Sequence, residues 1–172
     1  MRLLSNPMAR PDPGCRAAGR ERGMTLVELM VGLAIAAILV MAAAPTFSDY
    51  IANSRLREAG NLLYSQSLLA QSEAIKRNTV VRLAASGSSL QIIDRTDPDA
   101  PVVLFTRTLT DGASAGVVSV DFTGEGRTVN FAEASIDISS SNFTCSTEIR
   151  CPGLRVDGGG GIRLCNDHTG TC

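Results

Sequence analysis

The stretch Arg22-Gly23-Met24-Thr25-Leu26-Val27-Glu28, with the apolar run that continues from it to Ala44, decides the fold of this 172-residue chain. The 21 residues 24–44 contain a single charged residue, Glu28. As a helix rising about 1.5 Å per residue they are long enough to cross a hydrocarbon core of about 30 Å. The composition therefore predicts a membrane-spanning helix.

The charges ahead of the apolar run predict its orientation. Residues 1–23 hold five arginines and only two acids, and basic residues concentrate on the cytoplasmic side of a membrane span. We therefore expect a cytoplasmic N-terminus and a body, 45–172, outside the cytoplasm.

Glu28 is the feature that a plain membrane anchor does not explain. A carboxylate inside a membrane span typically costs a few kcal/mol unless it finds a partner. One interpretation is that Glu28 lies close enough to the end of the span to reach the interface. The other is that a second charge in the membrane pairs with it.

The residues around Glu28 favour the second interpretation, because Gly23-Met24-Thr25-Leu26-Val27-Glu28 resembles the class III signal of type IV pilins. The resemblance implies that a prepilin peptidase cuts after Gly23 and N-methylates Met24, at a position where phenylalanine is usual. It also implies that Glu28 pairs with the N-terminal amine of a neighbouring subunit during assembly. Pro45 matches the proline that kinks the helix of many pilins.

Residues 1–23 are predicted to be a leader that is not part of the mature fold, with Met8 as an alternative start to Met1. A conventional secretory signal cleaved near Ala42-Ala43-Ala44 is the rival interpretation, and it would release a soluble protein. That interpretation leaves residues 23–28 without a role, so we prefer the leader.

The mature chain is mildly acidic. Without residues 1–23 it keeps 11 of the 16 basic and 15 of the 17 acidic residues, a net charge of −4 with His168 neutral. Such a balance gives no general attraction to nucleic acid or anionic lipid.

The remainder of the chain predicts an α+β fold with two parts. Residues 45–77 continue the helix amphipathically, and their apolar positions at three- and four-residue steps predict one face packed on a folded domain. Residues 78–172 read as a β domain of short strands between turns, either a small sandwich or a strongly twisted sheet covered by the helix on one face. The predicted strands are Thr79–Ala84, Leu90–Arg95, Val102–Arg107, Val117–Phe122, Thr128–Phe131, Ile136–Ser139, Leu154–Asp157 and Ile162–Cys165.

Two stretches of this β region are similar to the GspH/FimT family of minor pilins and pseudopilins: residues 120–127, a strand, glycine turn and arginine, and residues 154–165 near the end. The resemblance implies a subunit of a type II secretion pseudopilus or of a type IV pilus. The implied partners are the prepilin peptidase, other pilin or pseudopilin subunits and the inner membrane.

Members of this family associated with DNA uptake carry a Gly-Arg-x-Arg string near the C-terminus. The matching string here is Gly160-Gly161-Ile162-Arg163, which keeps the second arginine and lacks the first. Arg155 and Arg163 are therefore candidate DNA contacts, which Arg127 and Arg150 would join if the four clustered. DNA affinity is built from several phosphate contacts acting together, so the interpretation as solvated strand-face arginines is favoured, and DNA is an alternative partner.

Four cysteines remain after the leader, which contains Cys15, and four cysteines allow three pairings. The local pairing of Cys145 with Cys151 and of Cys165 with Cys172 is preferred, because each bond closes a short loop that an oxidising periplasm keeps closed. A zinc site through His168 is disfavoured, because the cysteine spacings are not those of a zinc knuckle and His168 is the only histidine.

The predicted protein is thus a filament subunit rather than an enzyme. No nucleophile motif accompanies His168, and the pattern implies no cofactor. A membrane-anchored periplasmic β domain of unknown function is the remaining alternative.

Overall fold

The computed structural model describes residues 23–169 and Cys172, and the leader prediction for residues 1–22 lies outside these described residues. Within them the chain forms a 52-residue helix, seven strands and one 3₁₀ turn. The elements are α1 (Leu26–Arg77), β1 (Val81–Gly87), β2 (Ser89–Asp94), β3 (Val102–Thr108), β4 (Ala113–Phe122), the 3₁₀ helix (Val129–Phe131), β5 (Ala134–Ser140), β6 (Gly153–Val156) and β7 (Ile162–Cys165).

The strands form one antiparallel sheet in the order β3-β2-β1-β4-β5-β6-β7. The α+β prediction is confirmed. Of the two predicted arrangements, the structure has a single seven-stranded sheet rather than a sandwich of two stacked sheets. Its two halves are joined by a short ladder in which Ala113, Ser114 and Ala115 of β4 face Ser140, Ser139 and Ile138 of β5.

The core lies between the sheet and the part of α1 that belongs to the compact unit Ala43–Cys172. Strand residues alternate between buried and partly exposed, as expected for a sheet with one covered face. The fully buried large side chains come mostly from the sheet, whereas the helix contributes mainly small ones. The helix members of the core are Leu56, Ala59, Leu63, Ala70 and Ala74.

The predicted helix end at residue 77 is confirmed, and the structure gives its cause. Asn78 has a left-handed backbone with φ of 52°. Its N–H donates to Ile75 O at 3.2 Å, and the N–H of Thr79 donates to Ala74 O at 3.2 Å. This is a Schellman motif, in which asparagine takes the position that glycine usually holds.

One predicted strand is wrong. Val129–Phe131 form a 3₁₀ turn in which Asn130 has φ of 57°, and Thr128 before it makes a single bridge to Phe122. The buried Thr128 hydroxyl donates to Gly158 O at 3.2 Å, which bends the chain away from the sheet. The β-branched pair Thr128-Val129 gave a strand signal that this tertiary contact overrides.

Other boundaries differ by a few residues. β4 begins at Ala113 instead of Val117, because pairing with β5 holds the weak strand formers of residues 113–116 in the sheet. β1 begins at Val81 because Thr79 belongs to the helix cap. Phe47, one of the apolar positions of residues 45–77 that predict the packed face, is 65% exposed.

The side-chain amide of Gln71 joins two glycine turns to the helix. Its Nε2 donates to Gly126 O at 2.6 Å and to Gly160 O at 2.8 Å. Gly160 has φ of 87°, and a Cβ on it would lie 2.0 Å from Gly126 O. Only glycine fits there, since both the backbone conformation and the space exclude a side chain.

Gly160→Ala is therefore expected to destabilise the fragment 43–172, which contains every buried core residue of the described chain. The left-handed conformation costs about 1–2 kcal/mol and the overlap about 1–3 kcal/mol more. Gly87→Ala is the matched control, since Gly87 has φ of 57° and open space around its Cβ position. Urea unfolding measures both; equal losses in the two variants would contradict the packing of the two glycine turns.

A largely buried carboxylate, Glu73, ties the end of α1 together. It accepts from Arg77 Nε at 2.8 Å and from Lys76 Nζ at 3.5 Å, and Arg77 also reaches Asp94 of β2 at 3.3 Å. The hydrogen bond from Arg77 lowers the pKa of Glu73 below its ordinary 4.5, which burial opposes and Lys76 reinforces.

The stabilising contribution of Glu73 is expected to depend on pH. Because its pKa is lowered in the folded state, the contribution is present above pH 4.5 and is lost as the pH falls through the folded-state pKa. Glu73→Gln should lower the Tm of fragment 43–172 at neutral pH, with a gap to the unsubstituted fragment that shrinks in acid. Thermal unfolding followed by circular dichroism tests this, with Glu58→Gln at an exposed position as control. A Tm difference that does not change with pH would contradict the stabilising role of the ionised Glu73 carboxylate.

Candidate functional site

The first turn of α1 is built by Thr25 and Glu28. The backbone N–H of Glu28 donates to Thr25 Oγ1 at 3.2 Å, and the N–H of Leu29 donates to Thr25 O at 3.1 Å. Thr25 is therefore the N-cap, and Glu28 stands at the third helical position, where a capping-box sequence has its acid. The sequence itself contains this signal, Thr-x-x-Glu, which the interpretation of Glu28 as a buried charge alone does not detect.

The predicted cleavage point lies just before this cap. Gly23, Met24 and Thr25 precede the first helical residue, Leu26. Cleavage between Gly23 and Met24 would create an amine two residues ahead of the helix, next to its partly positive end. The carboxylate of Glu28 in the first turn is favourable for the helix dipole.

The helix that follows has an apolar surface that nothing in the described chain covers. Residues Leu26–Ala44 have a mean hydropathy of 2.5, and none of them is buried. By length and composition this segment can cross a membrane. An exposed apolar surface of this extent marks a region that lipid or other proteins cover.

Pro45 lies inside α1, which is assigned as one helix from Leu26 to Arg77. A kink at Pro45 stays a prediction from the sequence. The roles of Gly23, Met24 and Glu28 in processing and assembly also stay predictions.

Cys145, Cys151, Cys165 and Cys172 pair locally. Cys145 is bonded to Cys151 with Cα atoms 5.7 Å apart, and Cys165 to Cys172 with Cα atoms 5.2 Å apart. His168, the other residue of the disfavoured zinc site, contacts Cys151 O through its backbone N–H at 2.7 Å and through Nδ1 at 2.9 Å. These residues therefore fasten the C-terminal loop.

The candidate DNA-contacting arginines are partly neutralised within the domain. Arg155 donates to Asp137 Oδ1 at 2.5 Å, and Arg127 pairs with Glu125 while its guanidinium lies 4.6 Å from the centre of the Phe131 ring. Arg163 is exposed and forms no ion pair within the described part of the chain.

The structure brings Arg155 and Arg163 together but not with Arg150. Arg155 on β6 and Arg163 on β7 are cross-strand partners, and they line a cavity that also contains the acids Glu133 and Asp157. Arg150 lines a different cavity, with Arg57 of α1. The arrangement does not favour a phosphate-binding surface, because acids surround the Arg155–Arg163 pair.

Comparisons with known families agree with the two parts of the chain. The family described as "Prokaryotic N-terminal methylation motif" matches residues 19–44. The family described as "Type II transport protein GspH" matches residues 59–169, more than half of the chain.

One curated relative is the fimbrial protein EcpC of Eikenella corrodens, 46% identical over 46 residues, which are 27% of this chain and 30% of that protein. The match therefore spans less than a third of the relative.

One solved structure has the same fold, and a second is similar over a comparable length. The type IV minor pilin FimU of Pseudomonas aeruginosa is 22% identical, with a TM-score of 0.52 over 64% of this chain and 88% of that one. The minor pseudopilin EpsH of the type 2 secretion system of Vibrio cholerae is 16% identical, with a TM-score of 0.47 over 65% of this chain and 97% of that one.

The disulfide pairing leads to a direct test. Peptides of the unreduced protein should include Cys145 linked to Cys151 and Cys165 linked to Cys172, because the backbone holds each pair within bonding range. Mass spectrometry after digestion measures this, with a reduced sample as control. A crossed pairing, or four free thiols in protein isolated from cells, would contradict the loop geometry.

Proposed function

The chain belongs to the family of Type II transport protein GspH and carries the prokaryotic N-terminal methylation motif; from this premise we propose that it is processed at Gly23/Met24 and assembles through its N-terminal helix into a pseudopilus or type IV pilus. It is a minor pilin- or pseudopilin-like subunit. The observation that carries the proposal is the apolar, uncovered segment Leu26–Ala44, which begins two residues after the proposed cleavage point.

The proposed precursor has four parts: a leader 1–23, a membrane-spanning segment 24–44, an amphipathic helix 45–77 and a periplasmic β domain 78–172. It crosses the inner membrane once with its N-terminus in the cytoplasm, as the arginines of the leader favour. The prepilin peptidase removes the leader and methylates the amine of Met24. The subunit then leaves the bilayer for the filament.

Glu28 has the role of setting register during assembly. An ammonium group and a carboxylate brought together in an apolar environment each offset the other's desolvation cost, whereas a subunit out of register keeps an unpaired charge. Met24 of a neighbouring subunit supplies the ammonium group. The apolar side chains that follow provide the packing.

The family is structural, and the proposed role of this chain is that of a subunit on which the peptidase acts rather than of an enzyme. Both a secretion pseudopilus and a type IV pilus fit the proposal. DNA uptake is not put forward as a second function, because Arg155 is paired with Asp137 and Arg163 stands beside acids.

Processing should depend on the peptidase. In membranes from cells that carry it, the protein should begin with N-methylated Met24, and without it the leader should remain. Intact mass and N-terminal sequencing measure this, and Gly23→Val should block cleavage as the loss of the peptidase does. A chain that begins after Ala44 would instead establish a secretory signal and refute the proposal.

The charge of Glu28 is separable from its capping role. Glu28→Gln keeps the capping box, in which glutamine serves as well as glutamate, but removes the carboxylate. The variant should be processed normally and yet be depleted from sheared filaments, as quantified by immunoblotting. Thr25→Ala, which removes the cap hydroxyl and keeps the charge, is the matched control; equal incorporation of Glu28→Gln and the unsubstituted protein would mean that Glu28 only caps the helix.

A further inference from the structure

The cavity that Arg150 and Arg57 line together lies in the compact unit Ala43–Cys172, away from the start of α1. It is a cavity of about 210 Å³ between one face of α1 and the C-terminal loops. Its helix residues recur at intervals of four, which places them on a single face. The lining residues of this cleft, named here the Arg57–Arg150 cleft, are Asn53, Arg57, Asn61, Arg150, Pro152, Leu164, Cys165 and Asn166.

The walls of the cleft are held rigidly. The side chain of Asn53 donates through Nδ2 to Glu148 O at 2.7 Å and accepts through Oδ1 from the N–H of Arg150 at 2.9 Å. Gly60 allows close approach of the helix, since a Cβ there would lie 2.9 Å from Pro152. The disulfides Cys145–Cys151 and Cys165–Cys172 close the loops on the other side. The cleft is therefore formed before any ligand arrives.

Two arginines that form no ion pair within the described residues line the cleft. Arg77, Arg82, Arg127 and Arg155 each form an ion pair, whereas Arg57 and Arg150 form none within the described part of the chain.

Arg150 acts on the carboxylate of Asp167. The hydroxyl and N–H of Thr169 donate to its carboxylate at 2.8 and 3.0 Å, and these bonds lower the pKa of Asp167 before the charges of His168 and Arg150 add to the effect. Arg150 is thus partly compensated at a distance.

We propose that the Arg57–Arg150 cleft binds an aspartate or glutamate side chain of a neighbouring subunit in the filament. Guanidinium groups present planar, paired donors that match a carboxylate, and charge-assisted hydrogen bonds are the strong ones. The amides of Asn61 and Asn166 add neutral donors at the exposed rim, and Pro152 and Leu164 offer apolar surface to the methylene groups of the entering side chain.

The features of the cleft favour this occupant over a nucleic acid. Its volume suits one or two side chains rather than a strand of nucleotides, and the net charge of the mature chain is negative. The helix that forms one wall is the element through which the proposed function joins the subunit to its neighbours, so this inference rests on the proposed function.

The test uses the full chain in cells that assemble the filament, with Asn61→p-benzoylphenylalanine as a photo-crosslinking probe at the exposed rim. Irradiation should give a covalent adduct with another pilin-type subunit, and mass spectrometry should place the link in a segment that contains aspartate or glutamate. The double variant Arg57→Gln, Arg150→Gln should reduce the adduct about tenfold or more, as expected for lost hydrogen bonds between charged groups.

The matched control is the double variant Arg55→Gln, Arg107→Gln, which removes one exposed arginine from α1 and one from β3 outside the cleft. It should leave the adduct unchanged. Local disulfide pairing, checked in the same digests, shows that each variant has folded.

The outcomes separate the two proposals. If the protein begins at Met24 and enters filaments, but the adduct is absent, joins a nucleic acid, or persists in the Arg57→Gln, Arg150→Gln variant, the carboxylate site is overturned while the proposed function stands. If the leader is never removed, the proposed function itself fails.

Discussion

The packing of small helix residues against large sheet residues is the constraint on which the rest of the β domain depends. Ala59, Ala70 and Ala74 have no exposed surface, and they belong to the same buried cluster as bulky residues of the sheet such as Phe122 and Leu83. Small side chains let the helix backbone approach the strands closely, and interiors this dense leave no room for rotation of the helix. The rotation fixed by these alanines aims Gln71 at the glycine turns and Asn53 at the loop before β6.

That same fixed rotation decides which polar residues of α1 acquire partners. Glu73 is largely buried beside Arg77, and the buried Ser67 hydroxyl donates to Leu63 O at 2.8 Å. Arg57 lies on the helix face that points toward the C-terminal loops. The cleft there is lined by apolar side chains and amides but by no carboxylate among the described residues. A buried polar group needs a hydrogen-bond partner within the fold. An exposed cation in a formed cleft is solvated and can bind a carboxylate of another molecule.

Local chemistry explains which parts of the fold could be predicted from the sequence. The span, the end of the helix and most strands have signals within a few residues: an apolar run, an asparagine before β-branched residues, and alternation between turns. The turn at Thr128–Phe131, the join of β4 to β5, and the contact of Gln71 with two carbonyls have no such signal, because partners 25 to 89 residues away create them. Of the candidate site residues, the pairing of Arg155 with Asp137 depends on strand register, which the sequence leaves open.

The free energies of capping, dipole interaction and charge burial at the start of α1 bear on why position 28 is an acid. The cap made by Thr25 is worth about 1 kcal/mol and the interaction of an acid with the helix dipole about 0.3–1 kcal/mol. A charged side chain within a membrane costs a few kcal/mol, more than these local terms return. Glutamine would keep the capping box without that cost. Helix capping alone therefore does not account for a carboxylate at Glu28, and the deficit calls for a positive charge close by; in the proposed filament, the amine of Met24 from a neighbouring subunit is the group that supplies it.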